Sequence, residues 1–298
     1  MTQIYEARQL TTGYSWTECP RWHDGRFYFS DMYNHRVVTV TEDGEADVYL
    51  DLNDRKSLVD EEVVCVGTGF LPDGRLLVNS MWEQVVLVHD GSTTEVYADL
   101  RGLAVSPIND MVVDARGRAY ITQLGYNLFA GESAAKAPLL VVEPDGTPRV
   151  AEEGGVFDGA NGMGITADGR TLITAEVDGL RLTALEIKDD GSLGARRTFF
   201  DGQIMMDGMC VDEKGAVWGA SPISGVLRVL EGGPAVASVD LPAEQAGMGV
   251  ACALGGADRR TLFITCGVEV FDREKSRTEG RGSIWTARVD VPGGTTRP

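Results

Sequence analysis

The chain is poor in cysteine and in positive charge, and each shortage argues against a class of protein. Its five cysteines in 298 residues stand far apart and form no CxxC pair, which argues against a disulfide framework or a zinc cage and predicts small core residues. Lys and Arg number 27 against 45 Asp and Glu, and the formal net charge of −18 disfavours nucleic acid or an anionic membrane as partner. A bound cation is compatible with so acidic a surface.

Long apolar runs and a recognisable leader are also missing. No stretch approaches the roughly 18 apolar residues that a membrane-spanning helix needs. The first residues, "MTQIYEARQL", lack the basic start and the apolar run of a signal peptide. We therefore expect a cytoplasmic protein without a membrane partner.

Six copies of one pattern run along the chain. Each copy is a short apolar strand, a tight turn with Asp and Gly, and a second strand rich in aromatic and β-branched residues, which is typical of a β-hairpin. The copies are "PRWHDGRFYFSD" (20–31), "GFLPDGRLLVNS" (69–80), "MVVDARGRAYIT" (111–122), "GITADGRTLITA" (164–175), "MCVDEKGAVWGA" (209–220) and "ACALGGADRRTLFIT" (251–265). We expect the Asp residues at these turns to be structural.

Further alternating strands follow each hairpin, so that four strands recur every 40 to 50 residues with almost no helical periodicity. This spacing predicts an all-β fold, a six-bladed β-propeller with four-stranded antiparallel blades around a central channel, as one domain over residues 1–298. A pair of β-sandwiches is the alternative. We expect the N-terminal segment "QIYEARQL" to close the ring by pairing with the last blade, and residues 123–138 to form a candidate lid over the channel.

Polar residues occupy one register position in four of the six copies. Aligned on the hairpins, the six positions read Glu18, Val66, Asn109, Asn161, Asp207 and Ala246. In a propeller these positions converge on the axis, where two carboxylates and two carboxamides are costly to hold together without a cation. An all-oxygen donor set favours one divalent cation, Ca²⁺ first, with Mg²⁺, Mn²⁺ or Zn²⁺ as alternatives. Taken singly, each Asn or Asp is also compatible with a simple turn-forming role.

The segments "ECPRWHDGRFYFSDMYNHRV", "NDMVVDARGRAY", "NGMGITADGRTL" and "DGMCVDEKGAVWGAS" resemble the senescence marker protein/gluconolactonase family of regucalcin-like proteins. The resemblance implies a six-bladed propeller with one divalent cation held by Glu18, Asn161 and Asp207. It also implies that Asn109 contacts the substrate or a metal-bound water, and that Asp207 doubles as the general base. Members hydrolyse lactones, often sugar lactones, and more distant relatives hydrolyse phosphotriesters.

One position departs from the family pattern. Sugar lactonases of the family often carry an Arg two residues before the Asn that matches Asn109, whereas this chain has Pro107 there. This departure, together with the neighbouring Ile108, favours a less polar ligand than gluconolactone. We expect Tyr126 to contact the substrate, and Trp16 and Phe129 to add apolar walls.

The sequence therefore predicts a metal-dependent lactonase, a gluconolactonase-like carboxylic ester hydrolase acting on a small-molecule lactone. In this hypothesis Asp207 activates water, Asn109 and Asn161 orient that water, and the cation polarises the carbonyl group. No GxSxG motif is present, which argues against a serine nucleophile. Two alternatives stay open, an organophosphate hydrolase and a non-catalytic calcium-binding propeller. The exact substrate, the metal and the oligomeric state stay open as well.

Overall fold

The computed structural model describes residues 2–294, and these residues form six four-stranded antiparallel sheets around a central axis. The first strands of neighbouring sheets contact one another, as the blades of a propeller do. The first, innermost strands are Thr17–His23, Cys65–Phe70, Ile108–Val113, Ala160–Ile165, Met209–Val211 and Met248–Gly255. The predicted all-β, six-bladed fold is confirmed.

The remaining strands follow outward in each blade. The second strands are Arg26–Asp31, Leu76–Ser80, Ala119–Gln123, Thr171–Glu176, Val217–Ser221 and Thr261–Gly267. The third strands are Arg36–Val40, Val85–His89, Leu140–Val142, Arg181–Ile187, Gly225–Val229 and Gly282–Arg288. The outer strands of the first five blades are Ala46–Asp51, Thr94–Asp99, Pro148–Val150, Leu193–Phe200 and Ala235–Asp240.

The hydrophobic core lies between the blades. The rings of Phe27 in the first blade and Phe263 in the sixth stack with centroids 4.6 Å apart, and Trp218 of the fifth blade shares a cluster with Trp285 of the sixth. Inner strands are therefore buried on both faces, because each face packs against a neighbouring blade. All five cysteines are buried and free, as expected of core residues.

The predicted role of the turn aspartates is confirmed where their hydrogen bonds are seen. Asp114 Oδ1 accepts hydrogen bonds from the backbone N–H groups of Arg116 and Arg118, at 2.8 and 2.9 Å. Asp212 Oδ1 does the same for the backbone N–H groups of Lys214 and Ala216. These carboxylates satisfy backbone donors that the tight turn leaves unpaired, and they lie far from the ring position.

The N-terminal segment closes the ring, but only with its second half. Strand Arg8–Tyr14 pairs antiparallel with Gly282–Arg288 and becomes the outer strand of the sixth blade. Strand Gln3–Glu6 instead pairs in parallel with Ala235–Asp240, where it covers the outer edge of the fifth blade. The expectation that all of "QIYEARQL" pairs with the last blade was thus wrong for its first four residues, which protect a second sheet edge.

Few other elements occur among residues 2–294. The two α-helices are Ala243–Ala246 and Arg273–Glu279, and the 3₁₀ turns are Met32–Asn34, Leu128–Ala130 and Glu152–Gly154. Ala137–Pro138 and Val156–Phe157 form a separate two-stranded pair beside the third and fourth blades. None of the helices described is long and apolar enough to cross a membrane.

The closing strand leads to a stability prediction. A variant lacking residues 2–14 exposes the edge of Gly282–Arg288 and loses Tyr14, whose ring lies 4.8 Å from that of Phe29 in the core. We expect its unfolding temperature to fall by well over 10 °C, or the protein not to fold, because an inner edge is left unpaired. A variant lacking residues 2–7 keeps this strand and serves as the matched control. Equal stability of the two variants in thermal denaturation would contradict the closing role.

Candidate functional site

A repeated irregularity at the start of the innermost strands positions the ring residues. In the first four blades, the pairing of the first two strands shifts register immediately after Glu18, Cys65, Ile108 and Ala160. Two residues there oppose one on the partner strand, which is the geometry of a β-bulge. Bulges re-aim side chains next to functional sites, and here they turn Asn109 and Asn161 toward the axis.

Glycines let these strands approach each other closely. In four blades a glycine follows the ring position directly, as Gly67, Gly162, Gly208 and Gly247. A Cβ atom at Gly67 would lie 2.5 Å from the backbone oxygen of Asn109, and one at Gly162 would overlap the backbone oxygen of Asp207. Only glycine fits, so the ring residues of neighbouring blades sit against each other's backbone.

One cavity of about 370 Å³ opens at this end of the channel. The four oxygen-bearing residues of the ring all line it, and so does Tyr126. They are Glu18, Asn109, Asn161 and Asp207. The structure thus brings together every site residue that the sequence predicts, in a volume typical of a small-molecule site.

Burial sets the electrostatics of the two carboxylates. It raises the pKa of Glu18 to about 7, although the indole N–H of Trp16 donates a hydrogen bond to Glu18 Oε1 at 3.2 Å and opposes the shift. Burial, followed by the charges of Glu18 and Asp110, holds the pKa of Asp207 well above its usual range. A cation between these groups would compensate both the lost hydration and the repulsion.

The donor atoms fit a divalent cation. Asp207 Oδ1 is buried and has no hydrogen-bond partner, which is the state expected of an oxygen that awaits a ligand. Asn109 Nδ2 donates to Asn161 Oδ1 at 2.8 Å, so the two carboxamides hold each other in place. Within residues 2–294, no three His, Cys, Asp or Glu side chains are grouped closely enough to hold a metal by themselves. Any cation here therefore depends on amide oxygens beside two carboxylates.

A buried ion pair lies next to the ring. The guanidinium of Arg21, from the first blade, donates to Asp110 Oδ1 of the third blade at 2.9 Å, and both side chains are almost fully buried. Arg21 also donates to the backbone oxygens of Pro20 and Met111. Because Asp110 follows Asn109 directly, this pair ties the first blade to the strand that carries Asn109.

Sequence reasoning missed a second ring in the same cavity. In five blades, the residue that follows the second strand directly lines the cavity, and in the sixth blade the lining residue comes three positions after that strand. All six are apolar: Met32, Met81, Leu124, Val177, Pro222 and Val270. We call this set the apolar ring. The repeat alignment contained the signal, since each member stands at the end of a recognisable hairpin.

Asp178 was missed as well. It lines the cavity and accepts a hydrogen bond from the Tyr126 hydroxyl, with distances of 3.3 and 3.1 Å to its two carboxylate oxygens. Burial, together with the charge of Asp178, raises the pKa of Tyr126 to about 12. Tyr126 thus presents its ring to the cavity while its hydroxyl is committed to Asp178. No Lys, Arg or His belongs to the described residues that line this cavity.

The mouth of the cavity is aromatic. Phe129, from the predicted lid segment 123–138, lies with its ring centroid 5.4 Å from that of Trp82 and 6.0 Å from that of Phe271. Arg273 stacks over Trp82 at 4.8 Å, and Phe271 is 64% exposed. The segment therefore covers part of the cavity and supplies wall residues; its movement as a lid stays a prediction.

Comparison with known proteins places this geometry in a family. Residues 16–267 match the family described as SMP-30/Gluconolactonase/LRE-like region. The chain belongs to this family. Its SMP-30/gluconolactonase-like region includes all four oxygen-bearing ring residues and the whole apolar ring except Val270. The resemblance seen in the sequence is thereby confirmed.

Individual relatives are distant in sequence and close in fold. Regucalcin of Xenopus laevis is 27% identical over 185 residues, covering 59% of this chain and 60% of that protein, so the chain spans about three fifths of this curated relative's length. A gluconolactonase structure from Xanthomonas campestris has a TM-score of 0.74 at 22% identity, covering 96% and 89% of the two chains. A calcium-binding regucalcin from Agrobacterium tumefaciens has a TM-score of 0.77 at 18% identity, covering 98% and 97%. The similarity to these two structures shows that the chain shares their fold.

The glycine packing leads to a prediction for the ring. Gly162→Ala forces a Cβ atom against the backbone oxygen of Asp207 and should displace that residue. We expect Ca²⁺ affinity, measured by titration calorimetry, to fall at least about tenfold, because the donor set no longer converges. The control is Gly164→Ala in the same strand, where the new methyl group meets the side chain of Val211 instead. Equal Ca²⁺ affinity in both variants, with both folded, would show that Gly162 does not set the ring geometry.

Proposed function

We propose that this protein is a divalent-metal-dependent lactonase that hydrolyses a small-molecule lactone in the cavity at the end of the propeller channel. The observation that carries the proposal is the convergence of two carboxylates and two carboxamides from four blades at one cavity, with Asp207 Oδ1 buried and unpaired. Glu18, Asn161 and Asp207 would hold one cation, most simply Ca²⁺ because all donors are oxygens. Three protein ligands leave coordination positions for substrate and water.

Family membership supports a lactonase or a calcium-binding role. Among its structural relatives, one is described as a gluconolactonase and another as a calcium-binding regucalcin. The combined donor set in this chain is compatible with both descriptions. The accessible cavity above the ring favours the enzyme, since a purely structural ion is usually enclosed by protein ligands.

In the proposed mechanism Asp207 accepts the proton of the water that attacks the lactone carbonyl carbon. Its buried Oδ1 has no hydrogen-bond partner in the protein and can therefore accept that proton. When bound, the divalent cation would polarise the carbonyl group and stabilise the negative charge that develops on its oxygen. As the ring C–O bond breaks, the proton passes from Asp207 to the departing ring oxygen, and a hydroxy acid results. Asn109 and Asn161, fixed by their mutual hydrogen bond, orient the reacting groups.

The proposed function is tested by stripping metal from the protein and assaying a panel of sugar-derived and aliphatic lactones before and after addition of Ca²⁺, Mg²⁺, Mn²⁺ or Zn²⁺. We expect turnover only with metal, and Asp207→Asn should lower kcat by about 100-fold or more, the usual contribution of a general base. Asp168→Asn makes the same chemical change at an exposed turn and is the matched control.

Three results would count against this function. Tight Ca²⁺ binding without hydrolysis of any lactone would indicate a non-catalytic calcium-binding propeller. Hydrolysis of a phosphotriester such as paraoxon, but of no lactone, would indicate an organophosphate hydrolase. Full activity of Asp207→Asn would exclude Asp207 as the base while leaving metal dependence intact.

The Tyr126–Asp178 contact gives a prediction about binding. Since the hydroxyl of Tyr126 is committed to Asp178, its ring is the part that faces a substrate. We expect Tyr126→Phe to change KM less than about threefold, and Tyr126→Ala to raise KM about tenfold or more through loss of an aromatic wall. A large rise in KM for Tyr126→Phe, matched by no effect of Asp178→Asn, would show that the hydroxyl contacts substrate directly.

A further inference from the structure

We infer that the natural substrate is a lactone carrying an apolar substituent, such as an alkyl chain, and not a polyhydroxylated sugar lactone. This inference rests on the proposed lactonase function and assigns the substrate class of the same cavity. It depends on how polar and apolar side chains are layered along the cavity wall.

Most polar side chains of the cavity belong to the oxygen ring. The oxygen ring supplies Glu18, Asn109, Asn161 and Asp207 where the reaction would take place. Outside the oxygen ring, Asp178 is the polar lining residue without an aromatic ring. Its carboxylate already accepts a hydrogen bond from the Tyr126 hydroxyl. A substituent that leaves the reacting centre thus meets few free hydrogen-bond partners.

The apolar ring surrounds the space where that substituent would lie. Each of the six blades contributes one member, so apolar contact is available in every direction around the axis. Two further methionines, Met205 and Met248, line the same cavity beside Met32 and Met81. Methionine side chains adapt their shape to a flexible partner, which suits a hydrocarbon chain better than a rigid polar ring.

The mouth of the cavity is also lined by apolar side chains. Leu128 and Phe271 line the cavity and are 41% and 64% exposed, so an apolar path runs from the apolar ring to the surface. Pro107, two residues before Asn109, also faces the cavity and offers no donor. A sugar hydroxyl buried on this path would lose water without gaining a partner, whereas a methylene group would gain contact.

The decisive comparison uses three lactones with the same six-membered ring: δ-valerolactone, δ-decalactone with its pentyl substituent, and glucono-δ-lactone. Burial of each carbon group of the pentyl chain should raise kcat/KM about three- to fourfold, so we expect δ-decalactone to exceed δ-valerolactone by roughly several hundredfold. Glucono-δ-lactone should be the poorest of the three. A kcat/KM for glucono-δ-lactone equal to or above that of δ-decalactone would overturn the inference while leaving the lactonase function standing.

Substitutions in the cavity wall test whether the apolar ring sets the preference for an apolar substituent. Val177→Thr and Leu124→Asn, combined, place polar atoms at two ring positions with little change in volume. We expect the ratio of kcat/KM between δ-decalactone and glucono-δ-lactone to fall about tenfold or more. Val96→Thr, a half-exposed position on the outer strand Thr94–Asp99, is the matched control and should leave the ratio unchanged. An unchanged ratio in the folded double variant would show that the apolar ring does not set specificity.

Binding of lactams keeps the inference testable if no lactone is hydrolysed. Lactams have nearly the same shape as lactones and resist hydrolysis, so calorimetric titration of the Ca²⁺-saturated protein reports recognition alone. We expect 6-pentylpiperidin-2-one to bind at least about tenfold more tightly than gluconolactam. That result without any lactone turnover would support the apolar preference and reject the proposed function. Equal or weaker binding of the pentyl compound would reject the apolar preference.

Discussion

Two acidic side chains from different blades, Glu18 and Asp207, face the same cavity at the axis of the propeller, and the rest of the site depends on that costly placement. Burial and charge repulsion raise the pKa of both groups. Gly162 allows close packing of the strands that carry these residues, because a Cβ atom there would overlap the backbone oxygen of Asp207. No Lys, Arg or His among the described residues lines the cavity to offset this negative charge, so a bound cation would stabilise the site.

Circular closure makes this placement possible. Each ring residue belongs to a separate blade, so its position depends on how all six blades pack around the axis. The N-terminal strand Arg8–Tyr14 completes the sixth blade beside Gly282–Arg288, which joins the two ends of the described chain in one sheet. The Arg21–Asp110 pair adds a direct link between the first and third blades next to the oxygen ring. Residues far apart in sequence are thereby brought to one site by the packing of regular strands.

Much of the fold and the oxygen ring could be predicted from the sequence because both repeat with the hairpin. The Asp–Gly turn fixes the register of each copy, and the register then identifies Glu18, Asn161 and Asp207 as equivalent positions. The apolar ring was harder to recognise, since its members share a position but no residue type. The Tyr126–Asp178 contact joins residues 52 positions apart on different blades, and no local pattern predicts such a pair. The split of the N-terminal segment between two blades depends on which sheet edges stand open, a property of the assembled ring.

The described lining of the cavity contains acidic side chains but no Lys, Arg or His, and this also affects what happens after the proposed reaction. A lactone enters uncharged, but its hydrolysis product is a carboxylate. Asp178 lines the cavity outside the set of residues that would hold the cation and faces that new charge, and the whole chain carries a net charge of −18. Repulsion of this kind favours departure of the product and disfavours its return. Under the proposed function, a wall that accepts a neutral lactone would therefore hold the anionic product less tightly.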